Sequence, residues 1–412
     1  MTAEARLALD RCDELAGHSA GPTAGPNAGA TGIHRVYLTP EHAAVNAVAA
    51  SWMRSAGMRT WQDAAGNQCG RLEGSRTGLP ALLLGSHLDT VPNAGRYDGI
   101  LGVVAAIAVV ARLRAGELPF AVEIVAFGDE EGTRFGTTLL GSRAMSGSWK
   151  SEWAELTDSD GMTLREAASV FGIDTERIAD AARPPGDLVG YLEAHIEQGA
   201  LLEDAGRALG IVSGIAAARR SYVTVTGEAR HCATPWHLRR DALTGAAEAI
   251  LAVERISREQ GSPATIGHIE VLPGAVNVIA GAVVFSVDLR DRTVEGRDAT
   301  WTIMADEIDR VCATRGLTMT VDHRHTADAV ACSPRMRGAV QAGIRSTGDA
   351  EPLELFSIAG HDAMAMAAVT EVGMVFVRCR GGISHSPEES VLLEDVAAAI
   401  EALHAAVLSL AE

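Results

Sequence analysis

Apolar positions along the chain follow two rhythms, and the change from one to the other divides it. Up to residue 213, and again from 329, short apolar runs alternate with stretches of helical length. That pattern predicts an α/β layer whose sheet is buried on both faces. Strands are expected at 81–85, 122–127, 191–196, 353–357 and 374–377. Residues 3–16 predict a helix, followed by a Gly/Ala/Pro-rich connector over 17–32. Thr39-Pro40-Glu41 predicts a second helix start, with Thr39 as N-cap and Pro40 in the first turn. The stretch ILGVVAAIAVVARL (100–113) is apolar nearly all round and predicts a helix packed inside the domain. Residues 150–185 read as helical and polar, and further helices are expected after Gly360 and over 391–410.

Between 214 and 328 the alternation tightens. Residues 221–227 (SYVTVTG) alternate as a half-buried strand, and 241–257 carry apolar residues at helical spacing. Strands at 266–272 and 283–289, a helix at 298–316 and a strand at 317–322 follow. The order β-α-β-β-α-β is a ferredoxin-like split unit. The expected architecture is therefore α/β. A large domain with a mixed sheet flanked by helices is built from 1–213 and 329–412, and a ferredoxin-like βαββαβ domain, 214–328, is inserted into it.

Composition narrows the partners. The 412 residues are 47% hydrophobic and 21% charged, as in an ordinary globular protein with ample core. A formal net charge of −18 argues against nucleic acid and anionic membrane surfaces. The longest apolar stretch is too short to span a bilayer. The N-terminal residues are charged throughout, without the apolar run of a signal peptide. Six scattered cysteines lack C-x-x-C spacing, which fits a reduced, cytoplasmic protein.

The candidate chemistry sits just past the apolar runs. His87, Asp98, Glu130, Glu131, His195 and His385 each follow or end a strand-like segment. In open α/β sheets the carboxyl ends of adjacent strands converge on the ligand crevice. Imidazoles and carboxylates gathered there suit two divalent metals sharing a bridging carboxylate. In the unit His87-Leu88-Asp89, Asp89 is expected to orient the imidazole rather than to bind metal. Neighbouring side chains of the Glu130–Glu131 pair point apart, so that one ligates while the other shuttles protons. Arg290 lies on the polar face of an alternating strand with Ser286 and Asp288, placed either to grip a carboxylate or to pair with Asp288 or Asp291. No phosphate-binding G-x-x-x-x-G-K-[ST] loop or G-x-S-x-G elbow is present.

The segments GSHLDTVPNAGRYDGILG, GDEEGTRFG, AHIEQG, PGAVNVIAG, AGHDA and GGISHSPEE resemble the hydantoinase/carbamoylase branch of the dinuclear-metal amidases, from about residue 30 to the end of the sequence. The resemblance implies two divalent metal ions, zinc or manganese with cobalt or nickel also accommodated. Asp98 would bridge them, with His87 and His195 on one and Glu131 and His385 on the other. It implies Glu130 as general base, and His231 reaching the reacting carbonyl in the neighbouring subunit of a homodimer. Gln198, Asn277, Arg290 and His361 would bind substrate, with Arg290 and Asn277 on its carboxylate. The large domain would be catalytic and the inserted one a lid and dimerisation domain.

The activity so implied is hydrolysis of a linear amide in a small ureido or amide carboxylate. The leading case is an N-carbamoyl-L-amino acid, giving amino acid, ammonia and carbon dioxide. Allantoate amidohydrolase and β-ureidopropionase are alternatives, and a metallo-aminopeptidase or N-acyl-amino-acid hydrolase is a further one. Two segments depart from the pattern. His231-Cys232-Ala233-Thr234-Pro235 is one residue shorter than the usual His-Ala-Gly-x-Thr-Pro, and Ser357-Ile358-Ala359-Gly360 replaces Ser-Gly-Ala-Gly. Both touch substrate contacts rather than metal ligands.

Overall fold

The computed structural model describes residues 2–21 and 31–412, so the middle of the connector expected at 17–32 lies outside the described residues. The chain separates into two compact units, Met1–Ser213 with Ala331–Glu412, and Gly214–Val330.

The first unit is built on a nine-stranded mixed sheet. Its centre is four parallel strands in the order Ala121–Phe127, Ala81–His87, Leu188–Ile196 and Val372–Val377. Antiparallel strands flank them: Gln68–Leu72 and Arg59–Gln62 on one side, Leu209–Ile215 on the other. Every residue of Ala81–His87, Ala121–Phe127 and Val372–Val377 is buried, as continuous apolar runs require when helices cover both faces. The helix Ile100–Val110, buried at all but one position, packs on this sheet with Thr2–Ala16 and Leu393–Ser409 against it. Thr39 caps Pro40–Ser55 by accepting from the His42 N–H at 3.3 Å.

The stretch 150–185 departs from expectation. Its one α-helix is Leu164–Phe171, and the rest is short 3-10 turns and loop. A Thr163/Glu166 capping box starts that helix and Gly172 in the left-handed region ends it after eight residues. Trp153, Leu164 and Ile178 tuck into a small core of their own.

The second unit is an antiparallel sheet in the order Ile269–Leu272, Ala282–Asp291, Ala217–Thr226, Thr318–Ala327, covered by helices Ala242–Gln260 and Val294–Thr314. Along Ala282–Asp291 the residues Val283, Phe285, Val287 and Leu289 face the helices, and Ser286, Asp288 and Arg290 face away. The strand expected at 266–272 begins only at Ile269, because the Ser286 hydroxyl accepts the Gly267 and His268 N–H groups in place of a ladder partner. No helix among the described residues is long and apolar enough to cross a membrane.

Candidate metal centre

Because the four central strands run parallel, their carboxyl ends share one edge, and the first unit's candidate residues collect there. His87 ends one strand and Gly128–Glu131 follows another. His195 lies one residue from the end of a third, and His385 follows the fourth. Asp98 stands at their centre. Its Oδ1 lies 3.1 Å from His195 Nε2 and 3.9 Å from His87 Nε2, and its Oδ2 lies 3.1 Å from His385 Nε2. Glu131 Oε1 is 3.5 Å from the same His385 nitrogen. Each carboxylate oxygen of Asp98 thus faces its own donor group, His87 with His195 on one side and Glu131 with His385 on the other.

These spacings fit cations. A tetrahedral site with bonds of about 2.1 Å holds its ligand atoms about 3.4 Å apart, within the 3.1–3.9 Å range seen around Asp98. The tautomers fit as well. His87 Nδ1 donates to the Asp89 main-chain oxygen at 3.0 Å and His195 Nδ1 to that of Ile196 at 2.8 Å. Carbonyl oxygens only accept, so Nδ1 carries the proton in each ring and Nε2 turns its ligating position toward Asp98.

Electrostatics point the same way. Burial alone would raise Asp98, yet hydrogen bonds to His195 and His385 hold it well below the usual carboxylate range. Burial also opposes protonation of His195, but its hydrogen bond to Asp98 Oδ1 raises it, and the separate bond to Asp98 Oδ2 pushes His385 up to about 9. Protons on these rings occupy the positions that a divalent cation would take. Glu130 differs. It is buried, its N–H is held by Asp89, and burial pushes its carboxyl well above the ordinary range. Burial raises Glu131 to about 7, with Asp98 adding to it.

Asp89 stands beside the His87 ring and outside both donor groups: its Oδ1 makes a 3.6 Å ion-pair contact with His87 Nδ1, while its main-chain oxygen takes the shorter 3.0 Å hydrogen bond. The carboxylate also accepts the N–H groups of Glu130 (3.1 Å) and Glu131 (3.2 Å), fixing the loop that presents both glutamates. Gln198 donates to Asp98 Oδ2 at 2.9 Å. His361 is buried with Nε2 2.8 Å from the Ser357 hydroxyl, its ring edge-on to His195 at 4.5 Å. Three of the six non-glycine residues with positive φ among the described residues are Asp129, Gln198 and His385, so backbone strain concentrates here.

Several residues here carry no sequence signal of their own. Gly99 has φ +70°, and a Cβ on it would lie 2.4 Å from the His87 ring. Glu193, fully buried, accepts from Ser86, Tyr191 and the Ala363 N–H. Buried Arg35 ties the Leu88 carbonyl, next to His87, to the carbonyls of Leu15 and His18. Glu389 and Ser384 brace Asp98. Apart from Tyr191, two residues from Glu193, each partner lies at least twelve positions away.

The remaining three expected residues belong to the Gly214–Val330 unit. His231 pairs with Val278 in a two-stranded ribbon, and the Cys232 N–H donates to the Asn277 carbonyl at 3.0 Å, so the His231 and Asn277 segments lie side by side. The exposed His231 accepts the Ala233 N–H on Nδ1 at 3.1 Å, which leaves Nε2–H as the outward donor of the neutral ring. Arg290 meets the ion-pair alternative: Nε and Nη2 bind both oxygens of Asp288 at 2.6 and 3.1 Å, and Asp288 also accepts from Arg220.

Comparison with known proteins adds a family. Residues 83–409 match the model of peptidase family M20/M25/M40. An allantoate deiminase of Arabidopsis thaliana is 41% identical over 90% of this chain and 77% of its own length. An N-carbamoyl-L-amino acid amidohydrolase of Geobacillus stearothermophilus is 40% identical over 92% of this chain and 94% of its own. Among solved structures, a hydantoinase/carbamoylase-family amidase of Burkholderia multivorans superposes with a TM-score of 0.84 at 31% identity, covering 99% of this chain and 98% of that one.

Proposed function

Since the chain belongs to peptidase family M20/M25/M40 and is a hydrolase of the hydantoinase/carbamoylase type, we propose that it hydrolyses the ureido group of N-carbamoyl-L-amino acids at a centre of two divalent cations. The observation that carries this reading is Asp98, whose two oxygens face two separate imidazole-containing donor groups. Nitrogen and oxygen donors of this kind accept zinc or manganese, and also cobalt or nickel. Bound there, such cations polarise the scissile carbonyl and bring a water's pKa toward ~7.

In this reading Glu130 takes the proton of the attacking water and delivers it to the leaving nitrogen as the C–N bond breaks. Its carboxyl, pushed by burial well above the ordinary range, suits a group that must both accept and release a proton. The carbamic acid left behind loses carbon dioxide. His231 donates Nε2–H to the carbonyl oxygen from the partner of a homodimer, and the Gly214–Val330 unit serves as lid and dimerisation domain. Arg290, exchanging its pairing with Asp288 for the substrate, holds the substrate carboxylate together with Asn277, and Gln198 and His361 complete the substrate contacts. Six free cysteines support a reducing, cytoplasmic setting.

The second reading, allantoate as substrate, is favoured by the 41% identity to a plant allantoate deiminase. Matched coverage of 92% and 94% with the Geobacillus amidohydrolase favours the first. Ammonia release from N-carbamoyl-L-amino acids, allantoate, β-ureidopropionate and dipeptides, with manganese and with zinc, decides between them. Turnover confined to dipeptides would defeat the amidase reading.

Two variants test the parts. Arg290→Ala should raise KM for carboxylate substrates by about tenfold to a hundredfold, the worth of a bidentate charge-assisted pair. An equal loss on an amide lacking the carboxylate would remove the clamp. Gly99→Ala should push His87 aside and lower bound metal from two ions per chain to one. It should also cost about 1–3 kcal/mol for the positive φ, read by metal analysis and thermal melting. Two ions retained would contradict the His87 placement.

A further inference from the structure

The ligands' surroundings contain a second carboxylate that the resemblance assigns no role. Glu389 is only 4% exposed, and its side-chain hydrogen bonds all go to the loops that carry Asp98 and His385. Its Oε1 accepts two main-chain N–H groups, from Tyr97 at 2.7 Å and from Asp98 itself at 3.1 Å. Its Oε2 lies 3.0 Å from the Ser384 hydroxyl, which is also 2.9 Å from Asp98 Oδ2. Ser384 immediately precedes His385, which is held at φ +55°. A single buried side chain therefore fixes the main chain of the central carboxylate, its outer oxygen through one hydroxyl, and the root of an imidazole 287 positions further along the sequence (385 − 98). The fold reserves space for it: a Cβ on Gly95 would fall 2.4–2.5 Å from the Glu389 side chain.

We propose that Glu389 is a positioning residue that sets the distance and rotation of Asp98 relative to His385, and with them the affinity of the centre for its cations. The inference rests on the reading of Asp98 as a cation ligand. Asp89 does the same for the loop of Glu130 and Glu131 by accepting their N–H groups, so each of the two glutamate- and aspartate-bearing loops is gripped by a carboxylate that is not itself a ligand. Partners of this kind orient ligands, and their loss costs about tenfold to a hundredfold in metal affinity.

Zinc dissociation constants, by competition with a chromophoric chelator, and visible spectra of the cobalt(II)-loaded protein test it on wild type, Glu389→Ala, Glu389→Gln and Ser384→Ala. Glu389→Ala should bind zinc at least about tenfold more weakly, with shifted cobalt bands. Glu389→Gln should recover most of the loss, because its amide oxygen accepts both N–H groups and its NH2 donates to Ser384, freeing that hydroxyl for Asp98. Ser384→Ala, which leaves both N–H groups satisfied, should shift the cobalt bands and weaken zinc binding less than Glu389→Ala does. Wild-type affinity and an unshifted spectrum in Glu389→Ala overturn the proposal, as does a glutamine variant no better than alanine. If Glu389→Ala fails to fold, an unshifted spectrum in Ser384→Ala overturns it. A wild-type protein that takes up no cation defeats the metal-centre reading itself, before any variant is compared.

Discussion

Glu130→Gln is expected to retain both cations and to lose about a thousandfold in turnover, within the range removed with a general acid–base group. Glutamine has the volume of glutamate and keeps the main-chain N–H that Asp89 accepts, so the loop presenting Glu131 should stay in place. Glu130 stands outside both donor groups around Asp98, so metal content should be unaffected. What disappears is the ability to hold a proton and release it. Burial keeps the Glu130 carboxyl well above its ordinary range, tempered by His87, and a neutral amide cannot follow that titration. The measurement is kcat for ammonia release beside metal analysis of the same sample. Near wild-type kcat would assign the proton transfer elsewhere. Lost metal would mean that Glu130 is a ligand.

The contrast between Glu130 and its surroundings shows what a sequence can and cannot disclose. The parallel strands were legible because continuous apolar runs have few other homes, and polar residues at their carboxyl ends then share a crevice by geometry alone. His87, His195, Glu131 and His385 could be grouped on that argument, as could the strand face shared by Asp288 and Arg290. The bracing groups could not. Glu389 reaches Asp98 across 291 residues, and nothing local marks the second glutamate of a Pro-Glu-Glu turn as a buried acceptor of two main-chain N–H groups. Asp89 was recognisable as a carboxylate beside His87, but not for its further grip on the Glu130 and Glu131 N–H groups, which come from a loop 41 residues on. The polar stretch 150–185 misled because helical spacing of apolar residues does not reveal that capping and a left-handed glycine stop the helix after two turns.

Removing Asp98 should abolish activity outright. Asp98→Ala deletes the one side chain common to both donor groups, leaving two nitrogens on one side and one nitrogen with one carboxylate on the other, too few for tight binding of either cation. Wild-type protein stripped with a chelator and reloaded should gain stability with added zinc or manganese, by about 4 kcal/mol at free metal a thousandfold above the dissociation constant. Asp98→Ala should show no such gain. The pH dependence has a definite sign. In the metal-free protein the Asp98 hydrogen bond holds His385 up to about 9, so uptake must expel a proton from that ring, and affinity should rise with pH until it levels near that value. In Asp98→Ala that hydrogen bond is gone, His385 returns toward its ordinary range, and any residual binding should level off at lower pH. Thermal melts with and without metal across pH 6 to 9.5 measure both effects. Two tightly held ions in Asp98→Ala, or wild-type affinity that does not change with pH, would place the cations somewhere other than between these three imidazoles.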